Sequence, residues 1–139
     1  MKTRLPTSRE IEELVSFLPR LYVDGFTPIK RWGGGTKGQD GVTTMPWPEY
    51  ENVVVEFFRA ASSEGWSDYA YSPEEAGRML ESDDIIKTAN LAQIKTMLTY
   101  CVRGERFCDG QWGAMIEGGY VRLLLLRLAE LGSKKDLIG

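Results

Sequence analysis

The chain has 139 residues, 42% hydrophobic and 27% charged, proportions near globular averages that exclude a disordered, collagen-like or coiled-coil body. A formal net charge of −3 and a pI near 5.1 argue against a broad footprint on the phosphate backbone of nucleic acid. The absence of histidine removes Ser–His and Cys–His nucleophiles and the usual acid–base group near neutral pH.

The opening "MKTRLPTSREIEEL" lacks the apolar run of a signal peptide, and "YVRLLLLRLAEL" is interrupted by Arg122 and Arg127. These features predict a cytoplasmic location, no membrane span, and cysteines that stay reduced. Charge is uneven, net +1 over residues 1–50, −6 over 51–90 and +2 over 91–139, so the acidic middle is expected to pack beside the basic end.

Thr7 with Glu10 predicts a capping box, and Leu14, Val15 and Leu18 then share a helical face that Pro19 is expected to end. The following stretch holds six glycines and two β-leaning patches, Phe26–Trp32 and Val42–Met45. It reads as a long glycine-rich loop closing one small β-hairpin near residues 26–45. Within it "GGGTKG" departs from the P-loop pattern, because Lys37 follows Thr36 and precedes Gly38. Pro48 suits the first turn of a second helix whose stripe is Tyr50, Val53, Val54, Phe57, Phe58 and Ala61, closed by Gly65.

"GWSDYAY" reads as an aromatic loop. Ser72 with Glu75, and Ser82 ahead of two aspartates, are helix starts, and a capped start explains "ESDD" better than a cation site. Leu91, Ile94, Leu98 and Cys101 mark the next helix, with Gly104 as its left-handed end. Asp109 is expected to cap a short helix bearing Trp112, Met115 and Ile116. After Gly118-Gly119, Val121, Leu124, Leu125, Leu128 and Leu131 form a last stripe that Gly132 stops, leaving residues 133–139 as a flexible tail. The last two helices have a helix-turn-helix outline, but four consecutive leucines cannot read base edges, so the final helix belongs to the core. The whole, residues 1–139, is expected to be a single compact, mainly α domain of five to seven helices.

The densest chemistry lies in "CVRGERFCDGQW", residues 101–112. Each member has an ordinary role: Cys101 in the core, Arg103 at a helix C-terminus, Glu105 paired with Arg106, Phe107 and Trp112 filling space. Arg103, Glu105, Arg106, Asp109 and Trp112 nevertheless form a polar cluster that either locks segments together or grips an anionic ligand through guanidinium forks. Weaker candidates are Cys108, Trp32, Trp66 and Asp68. The "WGGG" loop and the Trp66–Tyr71 aromatics are candidate walls. Cys108 has a nearby cation but no recognisable base, and the two cysteines lack zinc-site spacing and partners, so neither metal nor cofactor is expected.

"IKTMLTYCVRGERFCDGQWGAMIEGGYVRLLLLRL", residues 94–128, with "LPRLYVDGF", "WGGG", "PEY" and "GWSDYAY" before it, resembles a family of small uncharacterised bacterial and archaeal proteins classed as a domain of unknown function. The likeness is most specific at "RGERFCDG", residues 103–110. In that pattern a histidine often precedes the tryptophan, where this chain has Gln111. The resemblance implies a stand-alone domain of a prokaryote or its mobile elements, and no reaction. We lean towards a non-enzymatic cytosolic module that binds a protein or a small anionic ligand, nucleic acid being disfavoured. The alternative is a histidine-free enzyme in which Arg103 and Arg106 clamp a phosphorylated or carboxylated small molecule and Glu105 or Asp109 moves the proton.

Overall fold

The structure, a computed structural model, describes residues 4–34, 41, 46–106 and 108–138, with side chains up to Ser133. Among them are eight helical segments and one two-stranded antiparallel sheet: α1 (Ser8–Val15), α2 (Leu18–Leu21), β1 (Ile29–Gly33), β2 (Trp47–Tyr50), α3 (Asn52–Ala61), α4 (Pro73–Leu80), α5 (Asp83–Lys87), α6 (Leu91–Gly104), α7 (Gln111–Glu117) and α8 (Tyr120–Ile138). With α2 a single turn, seven helices carry a mainly α fold.

Local chemistry starts most of these helices. Thr7 and Glu10 form a reciprocal capping box on α1, and Asn90 and Gln93 form another on α6. The hydroxyls of Ser72 and Ser82 accept the Glu75 and Ile85 amides at the starts of α4 and α5. One core joins the segments. Ile94, Met97, Leu98 and Cys101 of α6 and Val121, Leu124, Leu125 and Leu128 of α8 are all fully buried. α1 packs on α8, α3 on α6, α4 on α6, and α5 on α8. Of the leucine run, Leu124 and Leu125 are thus core, while Leu123 is partly buried and Leu126 exposed, and no described helix is long and apolar enough to cross a membrane.

The segment before α1 is clasped from two sides. Arg4 makes a forked pair with Glu10 at 2.7 and 2.9 Å, and the buried Lys95 ammonium donates to the Arg4 carbonyl. Arg4, with help from the Thr7 amide, holds the Glu10 carboxyl well below its ordinary value, at about 2. Burial pushes the Lys95 pKa down.

Several local expectations are corrected. Pro19 does not end the helical run. It sits in the first turn of α2, where its missing N–H has no intrahelical partner to lose. The second strand is Trp47–Tyr50, whereas residues 42–45, like "GTKG" of residues 35–38, lie outside the described residues. Pro48 is therefore in a strand opposite Trp32, on a sheet whose every strand is an edge, and Tyr50 leaves the α3 stripe. α3 ends at Ala61, before Gly65. Gly104 is helical, and the left-handed glycine between α6 and α7 is Gly110, at φ 93°. α8 passes through Gly132 to Ile138.

The acidic middle does pack beside the basic end, but not through charge pairs among the described residues. Arg127 of α8 donates to the Ala89 carbonyl at 2.8 Å, and Arg103 of α6 lies over the Tyr71 ring.

The candidate functional site at the α6–α7 elbow

Glu105 organises the elbow. It follows α6, and its two carboxylate oxygens turn forward to the open amides of α7, accepting from Gly110 and Trp112 at 2.9 Å each. Oε1 also accepts the Tyr50 hydroxyl of β2 at 2.8 Å. One side chain thus ties two helices and the hairpin together. Asp109, expected to be this cap, is exposed, and Gly110 occupies the cap position. Glu105, five residues upstream of Gly110, has replaced it, because the left-handed Gly110 turns the α7 amides back towards that carboxylate. The expected Glu105–Arg106 pair does not form.

Trp112 braces the same joint. Its indole N–H donates to the Val102 carbonyl at 2.9 Å, and its ring stacks on Phe58 at 4.5 Å with 6° between planes. Tyr50 meets the other side, 5.5 Å away. The Tyr50 pKa is raised by burial and by its bond to Glu105, so the hydroxyl stays a donor. Glycines allow the hairpin this close: a Cβ on Gly113 would stand 3.1 Å from the Ile29 side chain, and one on Gly110 would stand 3.1 Å from the Trp32 ring. Trp32 therefore lies beside the elbow, half exposed.

Beside the joint opens a cleft of about 370 Å³ lined by Tyr71, Pro73, Tyr100, Arg103, Cys108 and Gln111, with Gly104 between them. Its lining is mostly apolar. The Arg103 guanidinium sits 4.9 Å from the Tyr71 ring centroid, and among the described residues no ion pair engages it. Gly104 has a packing reason to be glycine: a Cβ there would stand 2.6 Å from the Gln111 side chain.

The structure therefore divides the predicted cluster. Arg103 and Cys108 face the cleft, whereas Glu105 and Trp112 are spent on architecture. Arg106 and Asp109 are exposed and outside the cleft lining. Phe107 lies outside the described residues. Trp66 is core rather than wall. Asp68 holds its own loop, accepting the Thr96 hydroxyl at 2.7 Å and the Ala70 amide at 3.0 Å. Cys101 is fully buried, which pushes its thiol up to about 12. Among the described residues no group of three or more His, Cys, Asp or Glu is arranged to hold a metal ion. Sequence reasoning missed Tyr50 and Tyr100. For Tyr100 a signal existed, since it precedes Arg103 by three residues on one helix and so shares its face.

A model of one protein family matches residues 6–134, nearly the whole chain. The chain belongs to DUF6508, a family of unknown function. No curated protein and no solved structure matches it. Membership of DUF6508 assigns no reaction, so function has to be argued from the elbow and its cleft.

Proposed function

We propose that this DUF6508 member is a non-enzymatic binding module of the prokaryotic cytosol whose ligand sits in the Tyr71–Arg103–Gln111 cleft. The observation that carries this reading is the separation of the cation from the acids. Arg103 lines the cleft, while Glu105 is occupied by two amides and a hydroxyl and Asp109 lies outside the lining. Acid–base catalysis needs a titratable group within hydrogen-bond reach of the reacting atoms, and the elbow's carboxylates are not offered there. Binding needs only what the lining has: apolar surface with a few polar groups to fix orientation.

The test is a two-dimensional amide NMR titration of the full chain against nucleotides, sugar phosphates and carboxylates, with each ligand analysed after prolonged incubation. The proposal expects at least one class to shift amides around Tyr71, Arg103 and Gln111 and to be recovered unchanged. No shifts there across the panel, or conversion of the bound compound, would contradict it.

A further inference from the structure

We propose that the cleft between α4, α6 and α7 receives a small monoanionic carboxylate carried on a flat apolar group, that is, an aromatic carboxylate. The inference rests on the preceding reading of the cleft as the binding surface and adds the chemistry of the ligand.

Charge selects the anion. The lining contributes one guanidinium, so a monoanion is neutralised, whereas a dianionic phosphate would keep uncompensated charge against a mostly apolar wall. The second arginine of the elbow, Arg106, is exposed and outside that lining, so no two-fork phosphate clamp forms. Geometry then selects the carboxylate. The Arg103 guanidinium is held 4.9 Å from the Tyr71 ring centroid, and its planar fork of N–H donors is spaced for two parallel bonds to a planar carboxylate.

The remaining walls select the body of the ligand. Tyr71 and Tyr100 supply ring surface and Pro73 an aliphatic edge, and about 370 Å³ lies at the small end of ligand sites. Gln111, held against Gly104, adds a neutral donor and acceptor.

Titration of the full chain at fixed ionic strength with benzoate, benzamide and inorganic phosphate, followed by calorimetry and amide NMR, tests the assignment. Benzoate is expected to bind with a Kd of about 1 mM, suited to one forked ion pair and one buried ring. Benzamide, which keeps the ring and loses the charge, and phosphate, which keeps charge and loses the ring, should each bind at least about ten-fold more weakly. Arg103→Met should lose about ten-fold or more, and Arg103→Lys should recover only part, because a point charge does not replace the fork. The benzoate–benzamide comparison uses the unaltered chain, so it holds even if a variant misfolds. Equal binding of benzamide, or phosphate binding as tightly as benzoate, would overturn the assignment. If phosphate alone bound at the cleft, the carboxylate would fall and the binding module would stand. If none of the three bound there, the aromatic carboxylate would fall, and the binding module would fall with it only if the wider panel of nucleotides and sugar phosphates also left the cleft unshifted.

Discussion

Glu105 shows how much a single side chain can carry when its oxygens meet the free amides of a helix start. Glu105→Ala would leave the Gly110 and Trp112 amides and the Tyr50 hydroxyl without their acceptor, and we expect a loss of about 2–3 kcal/mol in denaturant unfolding. Tyr50→Phe removes one of the three bonds and should cost about 1 kcal/mol. Glu10 makes the matching prediction for pH. Its carboxyl is depressed from 4.5 to about 2 in the fold, so its contribution is fully present above about pH 4.5 and is lost as pH falls towards 2. Glu10→Gln should therefore be less stable than the parent by about 1–2 kcal/mol at pH 7, discounted because Arg4 is half exposed, and the gap should close near pH 2. At this scale the residue types of the elbow were legible in the sequence, but their partners were not. Asp109 reads as the cap on spacing, and only the left-handed turn at Gly110 gives that role to Glu105.

Among the elements, helices that begin with a polar cap were legible, because the cap and the stripe behind it are local: Thr7, Ser72 and Ser82 each start a helix where the sequence places one. Helix ends were less so. Gly104 and Gly132 look like stops, yet both are helical, and each faces a neighbour that leaves little room for a side chain, Gln111 and Ile11 respectively. A glycine that ends a helix and one that lets another segment approach look alike in sequence. The hairpin was legible in existence but displaced in its second strand, because Pro48 reads as a helix start until its partner Trp32 is known. Gly110→Ala probes backbone strain and close approach together. It combines an unfavourable positive φ with a Cβ 3.1 Å from Trp32, so we expect about 1–2 kcal/mol of destabilisation and, in NMR spectra, shifts that spread to β1.

For the whole molecule, the mainly α class followed from periodicity and length, and membership of DUF6508 agrees with the reading of a domain of unknown function. The site did not follow. Five residues within ten positions look like one cluster, but a helix end and a left-handed turn divide them between the joint, the cleft and the exposed surface. The result is a division of labour: Glu105 fastens α7 and the hairpin, while Arg103 lines an apolar cleft on the other helix face. That division is the central claim, and denaturant unfolding of Arg103→Met in the presence and absence of benzoate tests it most directly. Stability is expected within about 1 kcal/mol of the parent without ligand, the small loss coming from the Tyr71 contact, and benzoate is expected to stabilise the variant far less than it does the parent. An Arg103→Met chain that unfolded as readily as Glu105→Ala, or that was still stabilised by benzoate as the parent is, would contradict it.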